Sequence, residues 1–230
     1  MQKIPYILKI MKSEVKLVAT AFSPYCQRVE MLLVEKNIPY KKREVDLANR
    51  PEWFVKDAPL GKVPLLYIDN KALFESIAIC EYLIEAFELD LHSKDLLTKS
   101  LHRGWIEIGN VILKAIFSLI SAKDQDGFND KKLALISKLA ILEANLRYSP
   151  YFDGELFLLI DISMAPMFKI LVSLDNKFCL EIFDKFPKVT AYAENLITRH
   201  SLGQVIPKNY AEIFDKFLAK RGSYLLKIKV

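Results

Sequence analysis

Paired cysteines, glycine, histidine and long apolar runs are all scarce in this sequence of 230 residues. Cys26, Cys80 and Cys179 make an odd count with no short spacing, which excludes a disulfide framework and points to a reducing compartment. His92, His102 and His200 stand far apart and no zinc spacing is present, so no metal is expected. No uninterrupted apolar stretch reaches membrane-spanning length. The opening MQKIPYILKIMKSE has neither a continuous hydrophobic segment nor a small-residue cleavage site. We therefore expect a cytoplasmic protein that makes no use of a membrane, with Met11 an alternative start. Seven glycines, ten prolines and no low-complexity tract exclude collagen-like and disordered chains. What is present is a globular composition, long enough for one large domain or two small ones.

The net charge of +5 raises the question of a nucleic-acid partner, and the distribution answers it. Residues 1–90 carry 13 basic and 13 acidic side chains, and residues 91–215 carry 15 of each. The whole excess lies in Lys216, Lys220, Arg221, Lys227 and Lys229. A body balanced in this way shows no basic footprint, and no nucleic-acid partner is expected. The terminal KFLAKRGSYLLKIKV reads as a solvated tail, or as a segment that packs across its neighbours, attracts an anionic ligand or meets an acidic partner.

The first ninety residues mix strand and helix signals. VKLVATA (15–21) predicts a strand, and Pro24 opens a helical stretch with apolar residues at 25, 29, 32 and 33 that stops at Asn37-Ile38-Pro39. YKKREVD (40–46) suits a second strand, PEWFVKD (51–57) a short helix, VPLLYID (63–69) a third strand and KALF (71–74) a fourth after the Asp69-Asn70 turn. Ser76 then begins a helix whose apolar positions form one face. Beyond the polar link ELDLHSKD the strands cease. Helical patterns cover 96–122, 131–146, 161–174, 187–199 and 208–220, with KDQDGFND (123–130) read as a charged loop. The architecture indicated is an α+β unit over residues 14–88 followed by an all-helical unit over 95–222.

Four motifs stand in order at fitting separations: F-S-P-Y-C-Q-R from Phe22, R-P-E-W-F from Arg50, P-L-G-K-V-P from Pro59 and F-E-S-I-A-I-C-E-Y-L from Phe74. With the β-α-β-α-β-β-α order, they resemble the thioredoxin-like domain of the cytosolic glutathione S-transferase superfamily. The omega class and its bacterial relatives are the most similar. FLLIDISMAP (157–166) and FPKVTAYAENL (186–196) match the superfamily's helical half more loosely. The resemblance implies a glutathione-binding transferase with a thioredoxin-like domain, a helical domain and a homodimeric assembly.

Each motif also has a chemical reading. Ser23 stands where a strand ends and a helix begins, and free N–H groups with the positive end of the helix dipole stabilise an anion there. Omega-type proteins are expected to carry a cysteine at this position, which forms a mixed disulfide with glutathione. A serine cannot exchange disulfides, but its hydroxyl can donate to the sulfur of glutathione and hold it as thiolate. It reads equally as a plain helix N-cap. Cys26 falls three residues later, and reads as a resolving thiol or as a small buried side chain.

The resemblance implies that the Val63 backbone pairs with the cysteinyl part of glutathione, next to a proline that the fold uses in cis. It implies that Ser76 and Glu75 meet the γ-glutamyl end, and that Arg50, with Lys62 a second candidate, pairs with the glycyl carboxylate. Ser76 is expected to be the N-cap of its helix. Asp161 is expected to stabilise a buried helix start, with Leu158 unable to complete a reciprocal cap. Trp105, Phe117, Tyr148 and Tyr151 stand at helical spacing and read as core before acceptor pocket, and Cys80 and Cys179 read as core.

Three functions follow as alternatives. The first is conjugation of glutathione to an electrophilic small molecule. The second is a thiol transferase or dehydroascorbate-type reductase acting through Cys26. The third is a non-enzymatic interaction protein resembling the stringent starvation protein A group, whose partner is RNA polymerase.

Overall fold

The computed structural model describes residues 14–147 and 150–228. The described residues divide into two compact units, one running up to His92 together with His200–Pro207, the other Ser93–Arg199 together with the stretch from Lys208 onward.

The first unit is built on a four-stranded sheet in the order β2-β1-β3-β4, with β1 at Val15–Ala19, β2 at Lys41–Glu44, β3 at Leu65–Ile68 and β4 at Lys71–Phe74. β1 runs parallel to β2 and antiparallel to β3, and β3 and β4 form an antiparallel hairpin. Asp69 and Asn70 both take positive φ in its turn, the conformation a two-residue hairpin loop needs. Helices α1 (Pro24–Glu35) and α3 (Ser76–Ala86) pack on each other. Helix α2 (Glu52–Asp57) sets Phe54 and Ala58 against Val18, Val45 and Leu65. β1 is an apolar run because neither of its faces meets water over most of its length.

Helix α1 buries Gln27, Arg28 and Glu30 along with its apolar residues. Burial of charge requires compensation. Lys42 of β2 supplies it to Glu30 at 2.8 Å, and the Arg28 guanidinium lies over the Tyr25 ring. A short helix, α8 (His200–Val205), packs against α1 from far along the chain. No periodicity over 200–207 had placed an element there, because six residues carry too little pattern and its stability comes from tertiary packing.

The second unit contains α4 (Leu96–Ile120), α5 (Gln125–Asn145), α6 (Leu159–Phe178), α7 (Pro187–Ile197) and α9 (Tyr210–Arg221). α4 packs on α5 and α6, and α7 on α5 and α6. The charged stretch expected as a loop over 123–130 is instead mostly the first turns of α5. The Asp124 side chain accepts the Gly127 N–H at 2.8 Å and starts the helix at Gln125. Cys179, expected in the core, is exposed. It ends α6 at φ 49°, with its neighbours Phe178 and Leu180 turned inward in its place. Trp105 packs on Phe152, Phe117 on Phe217 and Tyr151 on Phe157, while Tyr148 lies outside the described residues.

Residues 216–228 of the basic segment are folded and anchored by buried Leu218, Ser223 and Leu225, while Lys216, Lys220, Arg221 and Lys227 stay exposed. Arg221 ends α9 and its carbonyl accepts from Lys123. The Tyr224 N–H donates to the Ala122 carbonyl at 2.8 Å, Leu225 is fully buried, and Lys216 pairs with Glu212. Lys229 lies outside the described residues.

Asp161 is the polar centre of this unit. Fully buried near the start of α6, it accepts hydrogen bonds from the Phe152 N–H at 2.9 Å, the Leu158 N–H at 2.8 Å and the Tyr192 hydroxyl at 2.8 Å. Leu158 has no acceptor to return, so the cap is one-sided. Burial pushes the carboxyl up from 3.8 to about 6 against the pull of these donors. Removing it strands three buried donors, each worth about 1–3 kcal/mol when unsatisfied. Asp161→Ala is therefore expected to cost more than about 3 kcal/mol in urea unfolding. Because the folded value lies above the ordinary one, the protonated form is the one the fold favours. Its contribution is complete below about pH 4 and declines as pH rises through about 6. The stability of the wild type relative to Asp161→Asn should accordingly fall by on the order of 2 kcal/mol between pH 4 and pH 7. A relative stability that rises over that interval would contradict the assignment.

Candidate functional site

The sheet register gathers the residues singled out from the sequence at one end of the first unit. The last rungs at that end are Val18–Leu65 and Leu65–Phe74. One step further, Ala19 and Glu75 flank Pro64 on either side. β2 ends there too, since Ala19 stands opposite Glu44 and the Val45 N–H donates to the Ala19 carbonyl at 3.2 Å. The turn to Ser23, the segment running to Arg50, the Val63-Pro64 entry and the Glu75-Ser76 exit all leave the sheet at this end.

Ser23 is the N-cap of α1. Its Oγ accepts the Cys26 N–H at 3.3 Å, and Pro24 at the first helical position fixes the entry angle with no N–H to satisfy. The turn before it is held by the Ser23 N–H to the Thr20 carbonyl at 3.3 Å and by Gln27 Nε2 to the Ala21 carbonyl at 3.2 Å. Ser23 remains partly accessible, whereas Cys26 is fully buried. Desolvation pushes the Cys26 thiol up to about 12, and hydrogen bonding with Ser23 and the Thr20 backbone offsets only part of the rise. A thiol in that state supplies no thiolate near neutral pH.

The Val63–Pro64 peptide is cis. Pro64 is buried, while Lys62 is exposed beside it. Arg50 is exposed and its Nε donates to the Leu47 carbonyl at 3.1 Å. Its guanidinium lies 2.7 Å from where a Cβ on Gly61 would stand. Gly61 also holds φ 58°, so glycine is required there twice, for the backbone and for the approach of Arg50. The register and this contact bring Arg50 to the segment that contains Lys62 and Val63.

Ser76 was expected to cap α3, but the cap position belongs to Glu75, and Ser76 is the first helical residue and buried. Glu75 is exposed, holds φ 63° and ψ 115°, and its side chain makes no capping bond. A non-glycine residue in that region costs on the order of 1–3 kcal/mol and persists only where its surroundings dictate it. Together with Gly61 and Gln27, this backbone is what sequence reasoning missed. Gly61 was quoted within a motif, and only its contact with Arg50 explains it. Among the described residues no group of three or more histidine, cysteine, aspartate or glutamate side chains could hold a metal ion. No helix among them is long and apolar enough to cross a membrane.

Residues 17–91 match the family model described as glutathione S-transferase, N-terminal domain. The chain is 30% identical over 181 residues to the probable glutathione S-transferase DHAR1, cytosolic, of Oryza sativa subsp. japonica, covering 77% of this chain and 81% of that protein. Among solved structures it is similar to glutathione transferase Omega 3C from Trametes versicolor, with a TM-score of 0.77 and 28% identity over 86% of this chain and 92% of that one. It also matches rice GST1 (OsGSTU1), solved in complex with glutathione, with a TM-score of 0.82 and 21% identity over 95% and 99% of the two chains, a likeness of fold. A thioredoxin-like α/β unit with a helical unit, matched in sequence and in architecture by these proteins, places the chain in the glutathione S-transferase superfamily.

Proposed function

We infer that the protein binds glutathione at this end of the sheet, stabilises its thiolate with Ser23 and the start of α1, and directs it at an electrophilic small molecule. The observation that carries this reading is the contrast between Ser23 and Cys26. The accessible hydroxyl caps the helix, while the nearest thiol is buried and held protonated. Ser23 Oγ accepts from the Cys26 N–H, which leaves its own proton to donate to a sulfur. A preset donor and helix dipole act on the developing charge without reorganisation. Arg50, with Lys62 beside it, offers cations to the glycyl carboxylate, and the Val63 backbone faces the cysteinyl part. Glu75 accepts from the α-ammonium, while Ser76 and the first N–H groups of α3 receive the γ-glutamyl carboxylate. Glutathione is the co-substrate in this reading, consistent with the glutathione complex of the rice relative.

The reading has a direct spectroscopic test. The ultraviolet thiolate absorbance of bound glutathione should titrate below that of free glutathione, and Ser23→Ala should move it back up and lower kcat about a hundredfold. A bound thiol that titrates like free glutathione would overturn the mechanism. Calorimetry showing no glutathione binding would favour the interaction-protein reading.

The reductase reading requires Cys26 to react. In the native protein, an aromatic disulfide reagent should modify exposed Cys179 quickly and reach Cys26 and Cys80 only on denaturation, since burial pushes both of those thiols up to about 12. A glutathione adduct on native Cys26, detected by mass spectrometry, would replace thiolate activation with thiol exchange.

Glu75 separates backbone from side chain. Glu75→Gly relieves the positive φ and should raise stability by about 1 kcal/mol. It should also weaken glutathione binding about tenfold by removing the acceptor. Binding that is undiminished would remove Glu75 from the site.

A further inference from the structure

The basic segment holds the whole net charge of the chain and has no role in the proposed glutathione chemistry. Its fold fixes how that charge is displayed. Gly222 at φ 54° ends α9, and the chain passes at once into a 3-10 turn over Tyr224–Lys227. Ser223 Oγ accepts the Leu225 N–H at 3.3 Å, the Tyr224 N–H donates to the Ala122 carbonyl, and the Tyr224 ring packs on Phe128 with centroids 5.7 Å apart. Leu225 is fully buried, and the turn that sends it inward leaves Leu226 48% exposed. The Lys123 ammonium donates to the Arg221 carbonyl, and Lys227 Nζ donates to the Lys123 carbonyl at 3.5 Å. The end of α9, the link between α4 and α5, and the 3-10 turn are thereby gathered at one corner of the second unit.

The cations of this corner are not neutralised from within. Lys216 pairs with Glu212, and Asp215 pairs with Lys177 at 2.8 Å. Lys220, Arg221 and Lys227 are exposed and pair with no carboxylate among the described residues. The Arg221 guanidinium lies over the Phe217 ring, 5.2 Å from the centroid, which limits its motion. The opening of α5 sets Asp124, Asp126 and Asp130 against Lys123, Lys131 and Lys132, and the Asp124 carboxylate is occupied by the Gly127 N–H. The helix dipole accounts for Lys220 and Arg221 in the last turn of α9. It does not account for Lys227, nor for a large aliphatic side chain held out in water between Arg221 and Lys227.

We propose that this corner docks on an anionic membrane surface, with Lys220, Arg221 and Lys227 among the headgroups and Leu226 inserted at the acyl boundary. A peptide partner adds to a strand edge, lies in a helix groove or fills a polyproline groove. This corner is made of helix ends and one 3-10 turn, and a plane of charge requires no groove. The expectation that the protein makes no use of a membrane rests on the absence of a spanning stretch, and attachment of this kind needs none. Each cation near an anionic surface strengthens adsorption about fivefold, and a half-exposed leucine adds a factor of similar size. Three cations and one leucine therefore give a weak, reversible attachment that salt screens. This attachment does not depend on glutathione binding.

The test sediments the full chain with vesicles of phosphatidylcholine alone and with vesicles in which about one third of the lipid is phosphatidylglycerol. Binding should appear only on the anionic vesicles at low ionic strength and disappear at about 0.5 M salt. Lys220→Gln, Arg221→Gln and Lys227→Gln combined should weaken it about a hundredfold, and Leu226→Ser about fivefold. Leu226→Trp should show a blue-shifted emission on the anionic vesicles, while the emission of Trp53 and Trp105 in the wild type stays unchanged. Circular dichroism checks the fold of each variant. Because Leu226 stands exposed, the tryptophan reporter serves independently of the triple variant. No binding to the anionic vesicles, wild-type affinity in the folded triple variant, or an unshifted emission in Leu226→Trp would overturn the proposal. Binding to poly-L-glutamate without binding to the vesicles would overturn it in favour of an acidic protein partner.

Discussion

The register of β3 between β1 and β4 is the constraint on which both faces and one end of the first unit depend. Strand side chains repeat with period two, so a slip of one residue would exchange the two faces. Leu66 would then turn toward α2, and Tyr67 would leave the row of Lys16 and Lys41. The same slip would separate Pro64 from Ala19 and Glu75, the two residues that flank it one step beyond the last rungs. Burial enforces the observed register. Leu65 and Leu66 are both fully buried, one against Phe54 and Val18 and the other on the opposite face, so neither can be traded for a polar neighbour. The proposed glutathione site and the row of Lys16, Lys41 and Tyr67 on the outer face are thus two consequences of one set of rungs.

The two helix starts at the sheet end solve the same electrostatic problem in different ways. α1 begins with a side-chain cap and a proline, and its first N–H groups are partly satisfied by Ser23 before any ligand arrives. α3 begins at Glu75, whose backbone is turned to φ 63° and whose side chain makes no capping bond. The N–H groups of α3 are therefore left to an external anion to a greater degree. This difference fits the division of labour in the proposed mechanism. α1 acts on a sulfur that must remain reactive, and α3 grips a carboxylate that takes no part in the reaction.

Much of the first unit was legible because its signals are local. Ser23-Pro24 is a helix start in any context, KALF after Asp69-Asn70 is a hairpin strand, and the order of motifs points to the superfamily. The misreadings share a different character. KDQDGFND reads as a loop until Asp124 is seen to cap Gly127, because a polar first turn of a helix and a polar loop have the same composition. α8 depends on α1, which lies more than 160 residues earlier in the chain. Cys179 could not be distinguished from Cys26 and Cys80, since its exposure comes from a left-handed helix end. At the site, the residue types were readable and their backbone was not. Nothing in a glutamate announces a positive φ, and the need for Gly61 appears only when Arg50 is laid over it. The Arg43–Trp53 stack was equally hidden, because it requires knowing that Arg43 stands opposite Val18 and that α2 crosses that rung.

A hydroxyl rather than a thiol stands at the start of α1, and in the proposed mechanism this decides which molecule supplies the nucleophile. A protein thiol at that position would form and break a disulfide with glutathione, and the electrons would pass through the chain. With Ser23 there, and with Cys26 and Cys80 held protonated by burial, the first unit offers no accessible thiolate among its described residues. In the proposed mechanism the nucleophilic sulfur arrives with the ligand. The contribution of the chain is then confined to lowering the cost of ionising that sulfur and to positioning it, tasks that a hydroxyl and a helix dipole can perform without being consumed. A site of the proposed kind would turn over without a reductant, because no residue of its own would change oxidation state. In that proposed mechanism the burial of Cys26 serves the same end, for a reactive thiol three residues from Ser23 would compete with glutathione for the electrophile.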